Sequence, residues 1–292
     1  MKKSVLVLLS VIFVLLAFTK ADKTDNLNKV RGISIESAFN KGIISATVRG
    51  LGGHGENCIL ITMKNLTAND TMIRIESGRR LDTDDSTKQD ILVVRENLIA
   101  LAPREEKKVA VYGFCCQASK GSPKRDEKFS IGHMADSPLV KVANYLFKNL
   151  INSSVAQNAI WVVSDNHSLA SINGDDDDVK KLKKYLSMIK NIEIPWYDIT
   201  YAKPDSGHVF SNRAVTVSGE ISFHISIITI GRMVVFNQKG QIVGSVFDGK
   251  PLMPDNYVYP VDLDVRYYPK GKYSIKLFTN GEKLMLERKF EI

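Results

Sequence analysis

Short apolar runs that alternate with polar residues dominate the chain from residue 42 to residue 114. Alternation with a period of two is typical of strands that bury one face, and the polar clusters between the runs mark turns. Strands are predicted at residues 43–49, 58–64, 71–76, 91–95, 98–102 and 109–114. Short strands at this spacing predict a β-sandwich.

The pattern becomes helical between residues 137 and 190. Ser137 and Pro138 suit a helix start, and apolar residues follow at helical spacing. A second helix is predicted at 155–164, and a third where four aspartates, 175–178, precede a lysine-rich stretch. Acidic residues first and basic residues later complement the helix dipole. Calcium binding by the aspartates is the alternative, but the loop spacing of a calcium motif is missing.

Residues 209–292 return to the strand pattern and predict a second β-sandwich. Two hairpins are predicted there, one across residues 237–240 and one across Asn280-Gly281. The predicted fold class is therefore mainly β with a helical segment, an α+β protein. The predicted organisation is a signal peptide at 1–21, a β-sandwich domain with two or three helices at 30–170, a charged helix and linker at 171–208, and the second sandwich at 209–292.

The first residues have the pattern of a secretory signal. Lys2 and Lys3 precede an uncharged apolar run of 14 residues, and Ala21 ends a plausible cleavage site. A run of this length is too short for a bilayer core of about 30 Å, although a retained anchor is the alternative. We expect export through the inner membrane to the cell surface or the medium, and no transmembrane segment in the mature chain.

Composition and the absence of known motifs exclude several classes of function. The net charge is +8, but the lysines are scattered, so no nucleic-acid partner is expected. Motifs for zinc proteases, nucleotide binding and serine hydrolysis are absent, and no cofactor or metal is expected. The histidines stand far apart in the sequence: His54, His133, His167, His208 and His224. We predict a binding protein and not an enzyme, with a site assembled from scattered residues as the catalytic alternative.

Three cysteines, Cys58, Cys115 and Cys116, give an odd count for an exported chain. A disulfide from Cys58 to Cys115 or to Cys116 is one hypothesis. Unpaired thiols and pairing between molecules are the others.

Two short motifs around Cys115 and Gln157 resemble bacterial thioester domains of surface adhesins. The first is Tyr-Gly-Phe-Cys, ending at Cys115, and the second is Gln-Asn-Ala-Ile-Trp, ending at Trp161. The resemblance implies a thioester between Cys115 and Gln157, shielded by Phe114 and Trp161. Ala156 stands where the family usually has threonine.

The C-terminal sequence has a resemblance of its own. Residues 232–243, with Gly240 at a turn, and residues 269–277 resemble Ig-like C-terminal sorting domains of the type IX secretion route of Bacteroidetes, and also flagellar hook-capping modules. The resemblance implies an Ig-like sandwich that serves sorting or attachment. A plain binding or spacer domain is the alternative.

Together these features predict an exported surface or secreted protein with a binding or adhesion role. The N-terminal domain would be the working module, and the partner would be a protein or glycan on a host or neighbouring cell. The alternative is a non-covalent carbohydrate- or protein-binding protein with a structural disulfide and no thioester. Its first candidates are Trp161, Trp196 and the ten tyrosines.

Overall fold

A computed structural model describes residues 32–205 and 208–292, so the predicted signal peptide lies outside the described residues. The chain divides into two compact units. The first runs up to Cys116 and includes Ser122–Leu150, and the second comprises Gln117–Gly121 and Ile151–Ile292. The segment around Trp161 groups with the second unit in this division, whereas the predicted first domain extends to residue 170.

The first unit is built mainly from strands. They are β1 (Ile33–Ser34), β2 (Ile44–Leu51), β3 (Gly55–Asn65), β4 (Thr71–Ile75), β5 (Arg79–Thr83), β6 (Ile91–Val93), β7 (Asn97–Leu101), β8 (Glu106–Cys115) and β9 (Arg125–Met134). Six of them close into a barrel in the order β2-β3-β8-β6-β5-β9, and β1, β4 and β7 form a separate three-stranded sheet. The barrel closes because β9 pairs with β2 on one side and with β5 on the other.

Alternation along these strands builds one core. Ile59, Ile61 and Met63 of β3 are fully buried, and their neighbours in sequence are more exposed. Apolar residues of the three-stranded sheet, among them Ile73 and Ile75, belong to the same buried cluster. The two layers therefore share a core. The first domain was predicted as a sandwich, and it differs in that its main sheet closes on itself, because β9 pairs with both β2 and β5.

The described residues contain four α-helices, of which the last three lie at predicted positions and the first, at residues 35–40, was not predicted. They are α1 (Ile35–Asn40), α2 (Ser137–Asn149), α3 (Ser153–Ser164) and α4 (Asp177–Lys190). The helix α2 begins one residue later than its cap, Asp136, whose side chain accepts a hydrogen bond from Leu139 N. Asp176 caps α4 through bonds from the backbone N–H groups of residues 178 and 179, so the aspartate run is a helix start, as predicted.

The second unit holds a sandwich of two sheets. Its strands are β10 (Tyr197–Tyr201), β11 (Ala214–Ile225), β12 (Thr229–Asn237), β13 (Ile242–Leu252), β14 (Asp255–Asp264), β15 (Lys272–Thr279) and β16 (Lys283–Glu291). One sheet has the order β10-β11-β14 and the other β13-β12-β15-β16. Buried residues of both sheets, such as Ile221 and Leu277, form one core. The predicted mainly β fold with helices is confirmed.

Both predicted hairpins are present in this sandwich. The turn between β15 and β16 places Asn280 and Gly281 at φ values of 47° and 92°. Thr279 pairs with Lys283, so the loop has three residues, and asparagine and glycine adopt its two successive positive φ angles at least cost. The other hairpin turns at Gly240, which also has a positive φ.

The part of the chain that the structure describes has no helix with the length and apolar character needed to cross a bilayer.

One buried charge joins four segments of the first unit. Arg79, with 2% of its side chain exposed, donates to both carboxylate oxygens of Glu76, at 3.2 and 2.9 Å. It also donates to Ser34 Oγ and to the carbonyl of Gly132, each at 3.0 Å, and it pairs with Glu36. A buried guanidinium is tolerated here because its donors meet oxygen acceptors.

Glu36 extends this network to the surface. Its carboxylate contacts His133 Nδ1 on β9 as well as Arg79 on β5. Burial raises the pKa of Glu36, but the hydrogen bonds and charges of Arg79 and His133 outweigh that effect, so its pKa lies below the ordinary value. The ionised carboxylate thereby ties α1 to two strands of the barrel.

Replacing Arg79 should destabilise the first unit selectively. Arg79→Met leaves Glu76 and Glu36 without their cation, which costs about 3–5 kcal/mol of unfolding free energy. Both tryptophans lie in the second unit, so far-UV circular dichroism during urea unfolding reports both units and tryptophan fluorescence reports the second. The urea concentration at the midpoint of the dichroism change should be lower in Arg79→Met than in the parent protein. The exposed Arg125→Met on β9 is the control, and equal midpoints for the two variants would contradict the assignment.

Candidate functional site

All three cysteines are buried thiols in the first unit. Cys58 Sγ lies 3.7 Å from the carbonyl of Gly113, to which it donates. Burial raises the pKa of Cys58 to about 12. Burial, together with the neighbouring Cys58, Cys116 and Asp90, also raises the pKa of Cys115. Because the thiolate is the reactive form, both thiols are weak nucleophiles at neutral pH.

The strand register bears on the predicted disulfide. Asn57 faces Tyr112 and Ile59 faces Val111, so Cys58 lies opposite these two residues of β8. Cys115 lies three to four residues further along β8, which is roughly 10 Å at about 3.3 Å per residue. Disulfides need Cα atoms within about 7 Å of each other. A bond from Cys58 to Cys115, or to Cys116 beyond it, therefore requires backbone movement, and the disulfide stays a prediction.

The predicted thioester joins residues of different units, since Cys115 belongs to the first and Gln157 to the second. Gln157 is 4% exposed on α3, and the predicted shielding residues Phe114 and Trp161 are buried at 1% and 3%. Gly55 leaves room for Phe114, because a Cβ there would lie 2.7 Å from the ring. Burial of these side chains fits ordinary packing as well as shielding, so the thioester also stays a prediction.

The second unit contains a concave site that the sequence did not single out, here called the aromatic cavity. It has a volume of about 470 Å³, in the usual range for small-ligand sites. Its lining includes the rings of His167, Tyr197, Tyr201 and Phe210. Asn166, Ser168, Asn212 and Lys270 add polar groups to the lining. Aromatic faces with a few polar groups are the usual composition of a ligand site.

Strand β10 forms one wall by simple alternation. Tyr197, Ile199 and Tyr201 are two residues apart, so they share one face of the strand, and all three line the cavity. The strand is anchored from behind by α4, because Lys183 pairs with Asp198. Tyr197 also fixes the last strand: its hydroxyl accepts from the backbone N–H of Glu291 at 3.0 Å.

The opposite wall is a cluster of rings centred on Phe210. Its centroid lies 4.4 Å from His167, 5.0 Å from Tyr201 and 5.5 Å from Trp161. Trp161 is buried beneath this wall and does not line the cavity. Trp161 is therefore a core residue of the second unit, and Phe210 packs between it and the cavity.

The lining of the cavity carries one basic and one acidic side chain, Lys270 and Glu291, and its other polar side chains are uncharged. Burial lowers the pKa of His167, so its imidazole is uncharged at neutral pH. Its buried Nδ1 has no hydrogen-bond partner among the described residues and is a polar atom that a ligand can engage. Burial raises the pKa of Tyr201 to about 12, so its hydroxyl stays protonated. The site offers stacking faces and neutral hydrogen-bonding groups.

Trp196, the second predicted aromatic candidate, is half-buried at the start of β10. Its ring lies 5.5 Å from Tyr197, and its Nε1 donates to the carbonyl of Lys289 at 2.7 Å. It thus supports the cavity without lining it. Among the described residues, no group of three or more histidine, cysteine or acidic side chains is arranged to hold a metal ion.

Sequence reasoning included Tyr201 only as one of ten candidate tyrosines, and it missed Phe210. The spacing of Tyr197, Ile199 and Tyr201 marks a strand with one aromatic face, and that signal was available in the sequence. Phe210 lies in the loop between β10 and β11, where periodicity carries no information. Only folding brings it against His167.

Alkylation should separate the possible states of the cysteines. With iodoacetamide under non-reducing conditions, we expect slow reaction of the native protein and three adducts after denaturation, because all three thiols are buried. A disulfide would leave one adduct. A thioester would leave two, with a parent mass lower by one ammonia that methylamine shifts upward. Either of these results, read by intact mass, would contradict the three-thiol state.

The chain matches no protein family model, and no curated protein matches it either.

Proposed function

We propose that this chain is an exported surface or secreted binding protein whose second unit takes up a neutral sugar ring of a glycan, non-covalently, in the aromatic cavity. The partner is a glycan on a host or neighbouring cell. No catalytic step is part of this role. The proposal follows the non-covalent interpretation of the sequence and moves the working module from the first unit to the second.

The aromatic cavity is the observation that supports the proposal. Tyr197, Tyr201 and Phe210 supply ring faces, and aromatic faces stack on the apolar faces of sugar rings. Asn166, Asn212 and Ser168 carry groups that hydrogen-bond hydroxyls. Because the rings contact one another, they are ordered before a ligand arrives, which lowers the entropic cost of binding.

Two features of the sequence support the location of this activity outside the cell. The pattern at residues 1–21 is that of a cleavable signal, and the C-terminal strands resemble a sorting or attachment module. Sorting by the second unit and binding by its cavity are compatible, since the cavity is lined by the segment after α3, by β10, by the loops before β11 and β15, and by the last two residues.

Binding should depend on the central ring. An immobilised panel of neutral oligosaccharides is screened first for the strongest binder. That oligosaccharide is then titrated in solution and followed by tryptophan fluorescence, because Trp161 contacts Phe210 and Trp196 contacts Tyr197. We expect Phe210→Ala to weaken binding about tenfold, equivalent to about 1.4 kcal/mol. Tyr201→Phe keeps the ring face and should bind within about threefold of the parent.

Phe147→Ala is the matched control, since Phe147 is a partly exposed ring on α2 in the first unit. Thermal melting of each variant shows that the fold persists. If no oligosaccharide binds the parent, or if Phe210→Ala and Phe147→Ala bind equally well, the proposed site is wrong.

Processing tests the export proposal independently. In a bacterial host, N-terminal sequencing of the secreted or surface fraction should begin at Asp22, directly after the predicted cleavage site. Replacing apolar positions of the signal with charge, as in Val11→Asp, should trap the unprocessed chain in the cytoplasm. A chain that retains Met1 and stays with the membrane fraction would instead support an uncleaved anchor.

A further inference from the structure

A second concave surface of the second unit, here called the lysine groove, lies between the β12–β13 turn and the loop that precedes β15. It has a volume of about 680 Å³. Its lining includes Lys239 from the turn and Lys270 and Lys272 from the loop and the start of β15. No acidic residue is part of the lining. The groove therefore brings together three lysines from two separate segments of the chain, without an acidic side chain among them.

The charge of this groove is uncompensated. Other cations of the same sandwich have partners: Arg232 pairs with Asp248, Arg266 with Asp264 and Lys276 with Glu287. The three groove lysines, by contrast, form no ion pair with any residue that the structure describes. Glu291 lies opposite Lys272 in the β15–β16 ladder and is the neighbouring acid, but the two are not within ion-pair distance.

The walls of the groove are held rigidly. Tyr268 donates its hydroxyl to the carbonyl of Val243 at 3.1 Å, which ties the loop to β13. Tyr273 donates to the carbonyl of Pro269 at 2.6 Å, and the backbone of Gly271 exchanges two hydrogen bonds with Ile292. The backbone of the groove is thus fixed in place without a ligand, which lowers the cost of binding.

Aromatic and amide groups accompany the charge. Tyr267 is 89% exposed at the groove, with the guanidinium of Arg266 6.0 Å from its ring centroid, so most of the ring is open to a ligand. Gln238 and Gln241 bring side-chain amides to the same lining. A ring face, amides and unpaired ammonium groups together match a ligand that carries sugar rings, hydroxyls and acidic groups. A membrane surface would instead call for a broad face of exposed apolar side chains, whereas the exposed aliphatic residue of this lining is Val243, next to Ile242. Duplex DNA would call for a longer basic stripe.

From these features we infer that the lysine groove binds the carboxylate or sulfate groups of an acidic polysaccharide, as a site separate from the aromatic cavity. The inference rests on the proposed function in that both sites take glycans. It adds that the natural glycan is anionic. Lys270 lines both sites, so one polysaccharide chain can occupy the cavity with a neutral ring and the groove with an acidic one.

Dextran, carboxymethyl-dextran and dextran sulfate of equal length test this inference with the full mature chain. They share a backbone and differ in charge, and the two charged forms separate carboxylate from sulfate. We expect at least one charged form to bind about tenfold more tightly than dextran, with an affinity that falls as salt rises. Lys239→Gln/Lys272→Gln should remove most of that gain, since each exposed ion pair contributes up to about fivefold.

The control double variant is Lys180→Gln/Lys283→Gln, which removes the same charge from exposed lysines outside the groove. Equal loss in both double variants, or charged and neutral dextrans that bind alike, would overturn the inference. Duplex DNA that binds as tightly as the charged dextrans would overturn it too. The aromatic cavity is tested separately, because Lys239 and Lys272 do not line it and its neutral-oligosaccharide binding should survive in the groove variant.

Discussion

The structure of this protein depends on one constraint, the alternation of side chains on paired strands that all face a shared core. In the second unit, residues such as Ile221 of β11 and Leu277 of β15 turn inward at every second position. The opposite faces of the strands and the strand ends are not needed for the core, so their side chains can line binding sites. Strand β10 shows the consequence: the same alternation that buries Ile199 sets Tyr197 and Tyr201 on either side of it, and a row of rings results.

Alternation also decides how much of the fold could be predicted. The strands that were recognised in the sequence have apolar residues at every second position, and the Asn280-Gly281 turn has a backbone requirement that those two residues meet. Strand β9 was missed because only Phe129 and Gly132 along it are buried, so it has no apolar period. Its strand conformation comes from pairing with β2 and β5. Tertiary contact, and not local pattern, creates it.

Strand β5 was missed for a related reason. Its first residue, Arg79, is charged and nonetheless buried, because Glu76 and Glu36 approach it from other segments. A sequence pattern counts arginine as exposed, so it cannot detect a buried position that depends on distant acids. The same limit applies to the sites. Cysteines and tryptophans can be chosen as candidates from residue type alone. Phe210 and the groove lysines become candidates only once the fold shows which residues surround them.

The burial of reactive and aromatic candidates changes which of them can meet a ligand. Cys115 and Trp161, the residues with the most suggestive motif, are almost fully buried, and burial makes the thiol less nucleophilic. Exposed positions lie instead around the loop from Arg266 to Gly271, whose backbone is tied to β13 and to the chain end. A loop held in this way orders its own peptide groups during folding. The remaining entropic cost of binding falls on lysine side chains and on the ligand, which favours a stiff, repetitive polymer over a flexible one.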